Sequence, residues 1–158
     1  MEYLFAKWLH ILSSTLLFGT GIGSAFYLLV TVLSRDVHLI AHLSRWVVRA
    51  DWLFTATTAI AQPLTGFWLL RMMGLTPATG WVAWSLVLYA LAIGCWLPVV
   101  WLQMRLRDLA DESVRRGESA PSQRFWRYFG AWALLGVPAL FAFLAIFWLM
   151  VAKPDAPW

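Results

Sequence analysis

Lys7 and His10 stand one helical turn apart at the head of a long apolar run, KWLHILSSTLLFGTGIGSAFYLLV. Ionisable groups inside such a run are costly in lipid and ordinarily face a bundle interior, where they find partners. His10 therefore offers one of two chemistries. It can hydrogen-bond a neighbour, with Ser13 and Ser14 both about one turn away, or it can act as an axial ligand to haem iron. Arg71, Met72, Met73, Met150 and Lys153 are expected at the same membrane depth. With Lys7 they would supply thioethers for iron and cations for propionates, the inventory of a b-type haem site. The alternative is that the cations are snorkelling anchors and the methionines packing filler.

A second polar group lies deeper. Thr55, Thr58, Gln62 and Thr65 follow one another at i, i+3, i+7 and i+10, which puts them on one helical face. Pro63 cannot donate to the carbonyl of Ala59, and in lipid that carbonyl needs another donor, expected from the threonines or Gln62. This face is either an interhelical hydrogen-bond seam around a kink or a contact in which Gln62 meets a quinone, a porphyrin or a solute.

His38, His42, Arg45 and Arg49 also share a helical face. HLIAH could hold a metal or an acidic ligand, but no third ligand is close and the glutamate of HExxH is absent. The segment reads as an amphipathic interfacial helix with its cations toward anionic head groups. Gly19, Gly21 and Gly23 do not match GxGxxG, whereas Gly19 and Gly23 form a GxxxG that lets another helix approach closely. No Ser/His/Asp arrangement, phosphate loop or pair of intramembrane carboxylates is present, which argues against a hydrolase, a kinase or a proton-driven transporter. Asp51 and Asp108, at inner helix ends, are expected to pair with Arg49 or Arg105.

The elements that position these groups follow from composition. Of 158 residues, 61% are hydrophobic and 13% charged, far from the balance of a soluble domain. Four stretches are long enough to span a bilayer, at about residues 8–33, 53–70, 81–102 and 128–152. The fold expected is all-α, a single polytopic domain built as a four-helix transmembrane bundle. The first stretch is too long for a secretory signal and is read as a mature helix. Nine of the twelve cations lie between spans one and two or three and four, which predicts both long loops inside and both termini outside, on the periplasmic face. Topology thus accounts for the arginines without nucleic acid. Trp8, Trp68, Trp81, Trp84 and Trp148 fall near outer span ends, and Trp46, Trp52, Trp101, Trp126 and Trp132 near inner ends, as in an aromatic belt. The outer loop MMGLTPATG reads as a turn. DLADESVRRGESAPSQR begins as a helical extension of span three, broken by Gly117 and Pro121. Cys95, the single cysteine, cannot form an intrachain disulfide.

KWLHILSS, GTGIGSAF, ADWLFT, QPLTG, CWLPVVWLQMRLRDL and IFWLMVAKP together resemble the bacterial integral membrane proteins grouped as domain of unknown function 2269, over Lys7 to Pro154. The resemblance implies a multi-pass protein of the bacterial inner membrane, of unestablished activity. More distantly, the lysine-x-x-histidine at Lys7 and His10 is similar to the start of HemJ-type protoporphyrinogen oxidases and copper-resistance D membrane proteins. That likeness implies His10 as a haem ligand and Lys7 as a partner for a carboxylate.

Three functions are carried forward. The first is a haem b redox protein linked to a quinone, an oxygen species or a porphyrin. The second is a non-catalytic subunit or assembly factor that packs on a membrane partner, or on a second copy, through its glycine face. The third is a small transporter or copper-handling protein using Met72, Met73, Met104 and His10, although those methionines form no repeated motif.

Overall fold

Length and hydropathy make helices of nearly every apolar run, and the connections are short. The computed structural model describes residues 1–154, as α1 (Glu2–Leu33), α2 (Val37–Ala50), α3 (Ala56–Met73), α4 (Gly80–Arg115) and α5 (Gln123–Ala152). At 1.5 Å per residue the 32 residues of α1 reach about 48 Å, well beyond a hydrocarbon layer of about 30 Å. Among the described residues, α1, α4 and α5 are long and apolar enough to cross a membrane by length and composition. The 18 residues of α3, with Gln62, Arg71 and a row of threonines, are not counted with them.

The segment 37–50 is a helix with the expected division into an apolar and a cationic face. It runs into α3 through one π-helical turn at Asp51–Thr55, where the Ala56 N–H bonds the Asp51 carbonyl. Its apolar face, from Val37 through Ile40, Ala41 and Val47 to Val48, is buried, and α2 packs along α4. Asp36 caps it by accepting from the His38 and Leu39 amides. His38, His42, Arg45 and Arg49 keep the exposed face.

Two helical hairpins result. The α2–α3 run lies antiparallel to α1, and α5 lies antiparallel to α4. Gly74 closes α3 in a left-handed conformation (φ 65°), with the Leu75 amide reaching back to the Leu70 carbonyl. Gly117 (φ 67°) ends α4 in the same way, with Glu118 reaching Ser113, and Ser122 caps α5. The hairpins join at the end away from the N-terminus, around Leu28, Val32, Ile40, Leu102, Leu106, Phe125 and Trp132. Further out they touch through single side chains. Phe18 meets Phe143 and Phe147 edge-on, and the Tyr89 hydroxyl donates to the Ala59 carbonyl.

Tyr89 is thus the donor for the carbonyl that Pro63 releases, in place of the threonines or Gln62. Of the tryptophans expected in the belt, Trp8, Trp84 and Trp148 at one end and Trp46, Trp52, Trp101 and Trp126 at the other are exposed. Trp81 and Trp132 leave it and are buried, Trp81 with the Lys153 ammonium 5.8 Å from its ring. Asp108 pairs with an arginine other than the two expected, the adjacent Arg107 at 2.8 Å, in place of Arg49 or Arg105. Asp51 does not. It is 3% exposed and accepts from the Thr55 hydroxyl at 3.0 Å, with Gln103 of α4 beside it.

Candidate functional site

Antiparallel packing of α1 on α3 brings the two polar rows of the sequence face to face. His10 Nδ1 lies 2.8 Å from Thr65 Oγ1, and one turn further in the Ser13 hydroxyl donates to Gln62 Oε1 at 2.6 Å. Gly66 makes the approach feasible, because a Cβ there would stand 3.3 Å from His10 Cε1. The glycine that ends QPLTG therefore has a packing reason unrelated to its conformational freedom.

The network favours one site for the imidazole proton. Thr65 has one hydroxyl proton and holds the Ala61 carbonyl at 2.8 Å, a common arrangement for threonine in an apolar helix. His10 then donates Nδ1–H to the Thr65 oxygen. In the opposite tautomer no proton would lie between Nδ1 and Thr65 Oγ1, because the Thr65 proton is already given to the Ala61 carbonyl. We assign the Nδ1–H tautomer on that ground. The lone pair on Nε2 is then free, and a histidine whose other nitrogen is tied to a hydrogen-bond acceptor is the usual form of a metal ligand.

The other expected site residues are divided. Gln62 joins the network through Ser13. Ser14 does not reach the ring, since its hydroxyl donates to the Ile11 carbonyl of its own helix at 2.7 Å. Lys7 is exposed, with its ammonium 5.9 Å from the Tyr3 ring. Arg71, Met72 and Met73 are exposed as well. Met72 and Met73 lie seven and eight residues past Thr65, roughly 10–12 Å further along the axis, and the structure does not bring them opposite His10. Among the described residues no group of three His, Cys, Asp or Glu side chains is placed to hold a metal. Thr65, Gly66 and Tyr89 were missed as members of the site. The signal for Thr65 was its place on the same face as Gln62, but the rotation of α1 that aims His10 at it is not readable from either helix alone.

A family model described as a predicted integral membrane protein, DUF2269, matches residues 4–154. The chain belongs to this family. No curated protein and no solved structure matches it. Membership in DUF2269 agrees with the apolar helices and places the His10–Thr65 pair within an integral membrane protein. Of His10's role it says nothing.

Proposed function

We propose that the protein crosses the inner membrane of a bacterium four times, with both termini outside, and presents His10 as the protein ligand to a b-type haem. The fourth crossing is α3. Its side-by-side register with α1, through His10–Thr65, Ser13–Gln62 and Glu2–Trp68, supports carrying it across wherever α1 crosses.

The observation that carries the haem reading is the anchored ring: Nδ1 is held by Thr65, itself backed by the Ala61 carbonyl. Among the expected ligands, His10 is the residue that would hold this group. Met72 and Met73, outside the layer of His10, would not serve as its partner ligand. Lys7 and Arg71, exposed toward the outer surface, are the cations available to propionates. When bound, the group would supply one-electron chemistry toward a quinone or porphyrin. The chain's own part is to orient the imidazole, hold its proton at Nδ1 and keep α1 on α3 at the depth where the ring lies.

An absorption spectrum of the detergent-purified protein, oxidised and dithionite-reduced, tests this, with His10→Ala beside it and expression in cells supplied with a haem precursor. A Soret band lost in the variant is the expected result. A colourless, folded wild-type protein would reduce His10 to a structural hydrogen-bonder.

A second reading rests on a different observation. A Cβ at Gly19, Gly21 or Gly23 would meet nothing within 4 Å, so the GxxxG surface is not used inside the chain. That supports a membrane partner or a second copy seated on α1. Gly19→Leu with Gly23→Leu would then leave the monomer folded while abolishing co-purification of the partner or the dimer. Unchanged assembly would remove this reading.

A further inference from the structure

At the inner end of the molecule a cavity opens between α2 and α4, remote from His10. It measures about 360 Å³ and is lined by Arg45, Val48, Arg49, Arg107, Asp108 and Asp111. Three guanidiniums therefore meet two carboxylates, an excess of one positive charge. Two of the arginines are engaged, Arg45 with Asp111 at 2.5 Å and Arg107 with Asp108 at 2.8 Å. Arg49 has no carboxylate partner among the described residues. Its guanidinium lies 4.9 Å from the centre of the Trp46 ring.

The depth of the cavity indicates what fills it. Trp46, Trp52 and Trp101 are exposed at this same end, and Arg105 lies 5.4 Å from the Trp101 ring. Exposed indoles in a girdle mark the head-group layer of a bilayer. Basic pockets between helices at that level are suited to anionic head groups. Asp108 and Asp111 fix their two arginines in place, so those side chains lose little freedom on binding, and Arg49 keeps its hydrogen-bond donors for a ligand. At about 360 Å³ the open groove has room for a phosphate with its glycerol substituent.

We propose that this cavity binds the phosphodiester of an anionic phospholipid, with Arg49 as the principal phosphate ligand and Arg45 and Arg107 completing the cationic wall. The proposal depends on the helices standing in a membrane but not on what His10 holds, so the two can fail separately.

The test is a titration of the full-length, detergent-solubilised protein with phosphatidylglycerol, followed by native mass spectrometry. Phosphatidylcholine and inorganic phosphate are run in parallel. Wild-type protein is expected to retain one phosphatidylglycerol, with phosphatidylcholine bound more weakly and inorganic phosphate at millimolar concentration unable to displace it. Arg49→Gln should lower the affinity about tenfold, the loss of a charge-assisted hydrogen bond. Arg127→Gln removes an equal charge from an exposed site outside the cavity and should leave binding intact. Equal losses in both variants would show diffuse attraction and overturn the site. Displacement by inorganic phosphate would overturn the lipid assignment in favour of a free anion. Should Arg49→Gln not fold, Arg49→Lys serves instead, with the charge kept and the planar fork lost.

Discussion

His10 Nδ1 and Thr65 Oγ1 lie 2.8 Å apart, although 55 residues separate them in the chain. This contact ties α1 to α3 and decides which nitrogen of the imidazole is left to act. Thr65→Val keeps the shape and deletes the hydroxyl. It should free the ring to change tautomer and cost about 1 kcal/mol of stability, the scale of a hydrogen bond between membrane helices. Histidine-selective ¹⁵N spectra, with only three histidines to assign, should show His10 protonated at Nδ1 in the wild type and mixed in the variant. A wild-type ring protonated at Nε2 would undo the assignment on which the ligand role rests. Thr65→Ser should restore the wild-type spectrum.

Gly66 supplies the space for that ring. Alanine there would place a methyl 3.3 Å from Cε1, a contact that a small shift relieves, so Gly66→Ala should be mild. Gly66→Val should be clearly worse, by about 1–3 kcal/mol from overpacking. Combining Gly66→Val with His10→Ala should recover most of the loss in a thermal melt. Additive losses would mean that the two residues do not touch.

Tyr89 and Pro63 form a coupled pair across the hairpins. The proline leaves the Ala59 carbonyl without its helical donor, and the tyrosine hydroxyl takes that place. Tyr89→Phe should cost about 1–2 kcal/mol, the penalty for an unpaired polar group in an apolar setting. In Pro63→Ala the backbone N–H returns, and the same tyrosine change should then cost much less. A double-mutant cycle with no coupling would refute the arrangement.

Asp51, two residues before the span that begins near residue 53, is buried without an arginine. Burial pushes its carboxyl up to about 6, against the lowering effect of the Thr55 hydroxyl and Gln103 amide. A folded-state value above the unfolded one, near 3.9, means that the native protein binds the proton more tightly. The contribution to stability is therefore full below about pH 4, declines as pH rises through about 6, and levels off near pH 7. Asp51→Asn removes the buried charge, so the variant should gain on the wild type from pH 4 to 7, by up to about 3 kcal/mol at the upper end. Melting curves at stepped pH give the comparison. A difference independent of pH would show that Asp51 does not titrate in this range.

Much of the fold was legible because membrane helices are local sums of hydropathy and length. The apolar runs, the Gly74 turn and the end of α4 at Gly117 all follow from neighbouring residues. Even so, the 53–70 stretch, diluted by Gln62 and its threonines, begins one turn later, as α3, after the π-helical turn that joins it to α2. The site was half legible. His10, Ser13 and Gln62 announce themselves as polar groups where apolar ones are the rule, but their partners do not.

Chain chemistry alone determined that this is an all-helical integral membrane protein, with its positive charge gathered at one end and very few polar groups between. Tertiary structure alone decided which groups meet: Thr65 with His10, Tyr89 with Ala59, Asp51 buried rather than paired, Trp81 and Trp132 withdrawn from the belt. The reason is geometric. Contacts between helices depend on rotation and register, and half a turn of α1 would carry His10 from α3 to lipid. The π-helical turn at Asp51–Thr55 takes up an extra residue between α2 and α3, an offset that no helical spacing counted along the sequence includes.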